Sequence, residues 1–173
     1  MYRISYEMVS GNQGHWSDLS TEEISTVRDL MDSMIPTPSG CFIEGFSHWP
    51  LKSIGVEHLS GINLRQEEIN WISTKLSGDV QQEALFSYLT ELGCVLRPGF
   101  KYGCKWRVYD DDVAKSHAPW LLQPMTEAPV SWEQTCLSVR LAEGVHKKWV
   151  CGLKEDIGDW KFLHIKRWLP GRV

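Results

Sequence analysis

The sequence predicts an α+β protein, in which a small N-terminal α/β domain precedes a C-terminal domain built on a mixed β-sheet with flanking helices. Residues 1–78 alternate amphipathic helical segments with short strand-like runs. From Cys94 onward, strand-like runs separated by Gly, Pro and Asp turns dominate instead. This change of pattern places the domain boundary after residue 78, giving domains 1–78 and 79–173.

The N-terminal elements are predicted from their boundary signals. A strand covers Tyr2–Val9. A helix covers Ser20–Met34, because Ser20 followed by Glu23 forms a capping box. The segment 35–40 contains two prolines and a glycine, which end this helix. One further strand and two further helices are predicted in this region: Cys41–Phe46, Leu64–Leu76 and Asp79–Leu92, the last capped by Gly93.

Five strands and one helix are predicted after Cys94. A helix over 138–148 places Val139, Ala142 and Val145 on one face, although 137–141 also fits the end of a strand. Such a sheet covered by one or two helices is an α/β layer arrangement. The predicted strands are Val95–Arg97, Trp106–Tyr109, Trp120–Gln123, Trp149–Leu153 and Trp160–Trp168.

The composition is that of an ordinary soluble globular protein, with 42% hydrophobic and 23% charged residues in a chain of 173. No apolar run approaches the roughly 18 residues of a membrane span, and no secretion signal precedes the first strand. We therefore expect no membrane association and a cytoplasmic location, or a nuclear one in a eukaryote. The five cysteines form no CxxC pair, which favours reduced, buried thiols.

The net charge of −4 is distributed unevenly along the chain. Residues 1–79 carry 5 basic and 11 acidic side chains, whereas residues 80–173 carry 13 and 11. From residue 138 to the end there are 8 basic and 4 acidic residues. Because attraction of phosphate depends on the local field, this distribution is compatible with a defined nucleic-acid contact in the C-terminal half.

The C-terminal half also contains three ionisable residues of different chemistry, Tyr109, His117 and Lys147. RNA carries its own nucleophile, the ribose 2′-hydroxyl. Its cleavage therefore needs only a base, an acid for the departing 5′-oxygen, and a cation for the phosphorane charge. A tyrosine, a histidine and a lysine can fill these roles without a metal or another cofactor. The residues thus predict a metal-independent ribonuclease.

Three segments, KYGCKWRVY (101–109), SH (116–117) and VRLAEGVHKK (139–148), resemble the signature stretches of the tRNA-splicing endonucleases. The family pattern is K-F/Y-G-x-D-F-x-x-Y, a nearby His, and R-x-x-x-S-V-R-K, and the resemblance covers roughly residues 80–170. Two positions depart from it, because Lys105 stands where the family has Asp and His146 where it usually has Arg. Neither departure falls on the three ionisable residues.

The resemblance implies a role for each of these residues. Tyr109 would be the general base, His117 the general acid and Lys147 the cation that stabilises the transition state. The substrate would be precursor tRNA, cut at bulge-helix-bulge splice sites to leave 2′,3′-cyclic phosphate and 5′-hydroxyl ends. Arg140 and Arg167 would hold a flipped base by stacking, as arginine planes do, with Lys161 and Lys166 as alternatives to Arg167 in the last strand.

The resemblance also implies an assembly. The loop before the last strand would insert into another subunit through Glu155, Asp156 and Asp159, and Phe162–Trp168 resembles the edge strand that pairs two subunits. One catalytic module per chain implies a tetramer, either of four copies or of two copies with a second endonuclease subunit.

Two alternatives stay open at this point. The chain could be a non-catalytic, structural or RNA-binding subunit of such a tetramer, although an intact Tyr-His-Lys set argues against it. A metal-dependent nuclease could instead use the run Asp110–Asp112. Consecutive aspartates point in different directions, so we favour a solvated turn and predict no metal site.

Overall fold

The computed structural model describes residues 1–14, 16–45, 49–78, 84–155 and 159–171. Within those ranges the chain forms four α-helices and two β-sheets, which confirms the predicted α+β class. The helices are α1 (Thr21–Asp32), α2 (Gln66–Ser77), α3 (Leu85–Glu91) and α4 (Trp132–Gly144).

Ten strands belong to these sheets in the described part of the chain. In the N-terminal half they are β1 (Tyr2–Tyr6), β2 (Ile35–Thr37), β3 (Gly40–Glu44), β4 (Val56–His58) and β5 (Gly61–Arg65). In the C-terminal half they are β6 (Val95–Pro98), β7 (Trp106–Tyr109), β8 (Trp120–Pro124), β9 (Lys148–Lys154) and β10 (Trp160–Arg167).

The smaller sheet has the order β2-β3-β5-β4 and is antiparallel throughout. Here the sequence-based boundaries differ from the structure. The segment 35–40, predicted only to end a helix, forms β2 and the turn into β3, and the prediction missed β4 and β5. Leu64, predicted as the start of a helix, pairs with Cys41 in β5, so α2 begins two residues later at Gln66.

The larger sheet has the order β1-β10-β9-β8-β7-β6. Its β8 and β9 are parallel and every other neighbouring pair is antiparallel, which makes it the mixed sheet that the sequence predicts. The helix α4 connects the region after β8 to β9 and packs against β9 and β10. A parallel pair requires such a crossover, because its strands run in the same direction.

The first strand of the chain pairs with the last, from Tyr2 opposite Arg167 to Tyr6 opposite Leu163. Glu7, just beyond β1, accepts hydrogen bonds from Trp120 on β8 (3.1 Å) and Lys148 on β9 (2.8 Å). These contacts hold β1 in the larger sheet. The expectation that Phe162–Trp168 is a sheet edge is therefore wrong, because β1 lies outside β10 and is the edge strand.

The helix ends follow the sequence signals closely in α1 and less closely in α4. Ser20 and Glu23 form the predicted capping box at α1. Helix α4 begins at Trp132 rather than 138, because the Ser131 hydroxyl caps it by accepting from the Gln134 amide. Helix α3 begins at Leu85, and residues 79–83 of the predicted helix lie outside the described residues.

A core of buried side chains joins the two sheets. One cluster contains Val27 and Ile43 from the N-terminal half together with Val108, Val150 and Phe162 from the C-terminal half. A second cluster lies under α4. All five cysteines are free thiols and four of them are buried, as predicted. Among the described helices, none combines the length and apolar character that crossing a bilayer requires.

Candidate active site

One face of strands β6 and β7 carries the polar residues of the candidate site. Side chains alternate along a strand, so Trp106 and Val108 enter the main core while Arg107 and Tyr109 point to the opposite face. The register places Val95 beside Tyr109 and Arg97 beside Arg107. Since α4 packs against β9 and β10, this group lies on a part of the sheet that α4 does not cover.

Tyr109 is held by apolar packing on its ring and by one hydrogen bond at its hydroxyl. The residue is 7% exposed and clusters with Val95, Val113 and Ala118. Arg107 Nη1 donates to the Tyr109 hydroxyl oxygen at 3.2 Å, and the guanidinium carbon lies 5.9 Å from the ring centre. The phenol oxygen is therefore beside a permanent positive charge.

His117 lies in the connection between β7 and β8. The preceding turn is closed by the amides of Lys115 and Ser116, which both donate to the Asp112 carbonyl. The next residue, Ala118, is 2% exposed and belongs to the cluster around Tyr109. His117 itself is exposed. The backbone at this point is thus anchored next to Tyr109, while the imidazole is accessible to a substrate.

Lys147 follows α4 after a change in chain direction. His146 has φ +58°, a left-handed conformation that ends helices, and the Lys147 amide donates back to the Ala142 carbonyl at 2.9 Å. The Lys147 Nζ atom donates to the Ala118 carbonyl at 2.6 Å. Burial, with a further contribution from the charge of Arg107, lowers the pKa of the Lys147 ammonium.

These contacts bring the three predicted residues into one neighbourhood. Lys147 bonds to the carbonyl of the residue after His117, and that residue packs with Tyr109. Arg107 contacts the Tyr109 hydroxyl and acts electrostatically on Lys147. Chemically, the neighbourhood combines a hydroxyl that can exchange a proton, an accessible imidazole and two cations, which suits general acid–base chemistry on an anionic substrate.

Lys105, which stands where the family motif has Asp, does not contact Tyr109, His117 or Lys147. Its Nζ lies 2.7 Å from Glu127 Oε1 and 4.9 Å from the ring centre of Trp106. Of the two basic residues that precede Tyr109 in this motif, Lys105 therefore pairs with Glu127, whereas Arg107 contacts the Tyr109 hydroxyl. Arg97 was not anticipated, although its position in β6 opposite Arg107 could have revealed it once the strand pairing was known.

Arg140, on α4, and Arg167, on β10, both lie next to Tyr2. Arg140 Nε donates to the Tyr2 hydroxyl at 3.2 Å, and Arg167 is the register partner of Tyr2. Arg167 also donates its amide to Glu143 Oε1 at 2.8 Å. Both arginine side chains are exposed, and their polar contacts go to Tyr2 and Glu143 rather than to the Tyr109 neighbourhood.

The predicted subunit loop is described only in part. Glu155 and Asp159 are exposed, and the Glu155 amide donates to the Asp159 carbonyl at 3.1 Å. The Glu155 carboxylate pairs with Lys161 at 2.8 Å, so within this chain it is already neutralised. Asp156 lies outside the described residues.

The aspartate run forms a turn, as favoured from the sequence. Asp111 Oδ1 accepts from the Asp112 amide at 2.8 Å, and Asp112 Oδ1 accepts from the Ala114 amide at 2.9 Å. Such side-chain-to-backbone bonds are typical of aspartates in turns. In the described ranges, no group of three or more His, Cys, Asp or Glu side chains is arranged to hold a metal ion.

Comparison with known proteins identifies this region. Residues 80–162 match the model of a protein family described as tRNA intron endonuclease, catalytic C-terminal domain. The match places the region in the class of nuclease catalytic domains. The segment 80–162 therefore belongs to the tRNA intron endonuclease family, and it contains Tyr109, His117 and Lys147.

Curated relatives agree with this membership. A tRNA-splicing endonuclease of Methanopyrus kandleri is 29% identical over 107 residues, which are 60% of this chain and 59% of the relative. Similar proteins of the same name from Thermoplasma volcanium and Natronomonas pharaonis are 33% and 32% identical over 49% and 50% of this chain. The chain spans 59% of the first relative and about a quarter of the other two, at 28% and 27%.

Proposed function

We propose that this chain is an endoribonuclease that excises introns from precursor tRNA by a metal-independent reaction. The match of residues 80–162 to the family model supports the class of substrate, and relatives that carry the name tRNA-splicing endonuclease match 60% and 49% of the chain. The observation that carries the chemistry is the neighbourhood in which Arg107 contacts Tyr109 and Lys147 bonds to the residue after His117.

In the proposed reaction, the oxygen of Tyr109 takes the proton from the 2′-hydroxyl of the nucleotide before the cleaved bond. The 2′-oxygen attacks the adjacent phosphorus, and the bond from phosphorus to the 5′-oxygen breaks. His117, in its protonated form, gives a proton to that leaving oxygen. The products are a 2′,3′-cyclic phosphate and a 5′-hydroxyl, and the proton balance leaves Tyr109 protonated and His117 neutral.

Lys147 stabilises the charge that develops on the non-bridging oxygens of the phosphorane. Its position supports this role, because the ammonium is partly removed from water and held by the Ala118 carbonyl. A fixed cation in such a site needs little reorganisation during the reaction and is therefore effective. Arg107 adds a second positive charge to the same part of the sheet.

The proposal extends to substrate contacts and assembly. Arg140 and Arg167, both exposed and grouped around Tyr2, are proposed to contact bases of the precursor at a bulge. Glu155 and Asp159 are proposed to contact a neighbouring subunit in a homotetramer or in a heterotetramer with a second endonuclease subunit. Light scattering of the chain purified alone separates these assemblies, because only self-association gives a mass near four chains.

Three substitutions test the catalytic roles. We expect Tyr109→Phe, His117→Ala and Lys147→Ala each to lower single-turnover cleavage of an intron-containing precursor tRNA by at least about 100-fold, the usual effect of removing one such group. The melting temperature should stay close to that of the wild type. Mass spectrometry of the products should detect the cyclic phosphate, and cleavage should persist in EDTA.

Two control variants change a tyrosine and a lysine that lie outside the candidate site. Tyr6→Phe changes a tyrosine that is 72% exposed on β1, and Lys154→Ala changes an exposed lysine at the end of β9. Both should cleave at the wild-type rate. Wild-type-like cleavage by any of the three active-site variants, or loss of wild-type activity in EDTA, would overturn the proposed mechanism.

A further inference from the structure

A cavity of about 390 Å³ lies between the N-terminal and C-terminal halves of the chain. The segment 52–57, which leads into β4, forms one wall with Gln13, and β6 and the turn 112–114 form the others. None of the functional roles proposed above uses this cavity. A second cavity, of about 440 Å³, lies beside β1 and α3 and is lined by other residues.

The first cavity shares a wall with the candidate active site. Val95 and Val113 line it, and both pack in the cluster that contains Tyr109 and Ala118. The turn at 112–114 continues directly to His117. A group bound in the cavity would therefore lie beside the cluster that holds Tyr109.

The wall contributed by the N-terminal half is held by two charged side chains, one half-buried and one buried. Arg97, on β6, donates to the carbonyls of Ser53 (3.5 Å) and Gly55 (3.1 Å). Gly55 has φ +82°, and its amide donates to the fully buried carboxylate of Glu68. Because both the amide and the carbonyl of Gly55 are hydrogen-bonded to side chains of other elements, this wall of the cavity is held in place in the free protein.

The lining favours a neutral, partly polar group over a phosphate. Val56, Val95 and Val113 supply apolar surface. The charged lining is balanced, since two cations (Lys52 and Arg97) are matched by two carboxylates (Glu57 and Asp112). A phosphate would gain no net attraction in such a site. The carboxylates can, however, accept hydrogen bonds from amino groups.

We propose that this cavity binds a nucleobase of the substrate RNA, one that carries an exocyclic amino group, at a nucleotide close to the cleaved phosphodiester. The inference rests on the proposed ribonuclease function. In RNA recognition, single-stranded bases are commonly turned out of the helix into protein pockets and read along their edges. The cavity would add a contact that selects the substrate strand next to the cut.

The test combines changes in the protein and in the RNA. Precursor tRNAs carry a single abasic nucleotide, placed in turn at each of the two positions on either side of the cleaved bond. For the wild type, we expect one of these positions to lower kcat/KM by about tenfold, a usual effect of losing one bound base. In the variant Val56→Trp, the new side chain fills the cavity. Its kcat/KM on the natural precursor should be about tenfold below that of the wild type, and the abasic nucleotide at that position should lower it no further.

Met34→Trp is the matched control. Met34 is 41% exposed and Val56 44%, and Met34 directly precedes β2, whereas Val56 begins β4 at the opposite edge of the same sheet. This variant should retain the wild-type rate and the wild-type response to the abasic nucleotide. Glu57→Gln provides a second readout that leaves the cavity open. This variant should reduce the preference for adenine over unsubstituted purine, which lacks the exocyclic amino group, at the sensitive position.

The outcomes separate the two proposals. If Val56→Trp cleaves the natural precursor like the wild type, or keeps the full abasic effect, the cavity does not bind a base and the inference is wrong while the ribonuclease proposal stands. If Val56→Trp fails to fold, an unchanged adenine preference in Glu57→Gln is enough to reject the inference. A wild-type chain that cleaves no precursor, either alone or together with a second endonuclease subunit, would overturn both.

Discussion

Arg107 provides a direct test of how the site works, because it contacts one proposed catalytic group and acts electrostatically on another. Its Nη1 atom lies 3.2 Å from the Tyr109 hydroxyl oxygen, and its charge lowers the pKa of Lys147 in addition to the effect of burial. The substitution Arg107→Met removes the charge and the hydrogen bond while retaining much of the aliphatic side chain. We therefore expect an effect on chemistry rather than on folding.

The size of the effect follows from these contacts. A hydrogen bond from a charged donor contributes about 1.5–3 kcal/mol, and about 1.4 kcal/mol corresponds to a factor of ten. If the bond acts on Tyr109 in the transition state, Arg107→Met should slow cleavage by about ten- to a hundredfold. The pKa of Lys147 should rise in the variant and stay below its usual value, because burial, the larger cause, persists.

Two assays measure these effects separately. Single-turnover cleavage of precursor tRNA gives the rate, and NMR titration of ¹³C-dimethylated lysines gives the protonation of Lys147. The control is Lys105→Met, which removes a cation from the same motif whose ammonium pairs with Glu127 at 2.7 Å. This control should change neither the cleavage rate nor the titration of Lys147.

The reasoning would be refuted by an Arg107→Met protein that cleaves within about twofold of the wild type. It would equally be refuted if the Lys147 titration moved to lower pH, since removing a neighbouring positive charge can only favour the ammonium. A drop in rate shared by Lys105→Met would show that the effect comes from general attraction of RNA rather than from the contact to Tyr109.

Three further predictions concern stability and reactivity. Burial raises the pKa of Glu7, but hydrogen bonds from Lys148 and Trp120 outweigh it and lower this pKa below the usual 4.5. The ionised carboxylate therefore stabilises the fold above pH 4.5, and this stabilisation is lost as the pH falls through the lowered pKa. Glu7→Ala should therefore cost about 2 kcal/mol in urea unfolding at pH 7 and much less near pH 3; an equal cost at both would contradict this. Glu68→Leu should lower the unfolding free energy by about 3 kcal/mol, because it leaves the Gly55 and Arg65 amides unsatisfied, and a neutral result would disprove that account. Burial raises the pKa of the Cys94 thiol to about 12 and those of Cys104 and Cys151 to about 11, so Cys136 alone should react rapidly with Ellman's reagent in the folded protein, and all five thiols after unfolding. Rapid reaction of two or more native thiols would refute that prediction.

Local patterns in the sequence predicted much of the fold. The Ser20–Glu23 capping box predicted the start of α1, and the runs at 95–97, 106–109, 120–123, 149–153 and 160–168 each became a strand with shifts of no more than a residue or so at their ends. These signals work because caps and alternating side chains depend on neighbours within a few residues. Strand β4 was missed because three residues are too few to show a period, and the end of β5 was assigned to the helix that begins directly after it.

The residues of the candidate site were also visible in the sequence, through the motifs around Tyr109, His117 and Lys147. Their surroundings were not. The structure showed that Lys105 turns to Glu127, that Arg107 contacts Tyr109, and that Lys147 bonds to the Ala118 carbonyl. Each of these contacts depends on which face of a strand a side chain occupies and on what packs opposite it, and neither can be read from spacing alone.

The sequence by itself therefore determined the class of fold, most of its elements and the three ionisable residues, because all of these are encoded in short contiguous segments. Only the tertiary structure decided that β1 pairs with β10 at the edge of the larger sheet. It also decided that Arg97 bonds to the Gly55 carbonyl and that a cavity lies between these residues and the candidate site. The physical reason is that these features join residues far apart in the chain. Their pairing is set by the packing and hydrogen bonding of the whole molecule, which no local pattern contains.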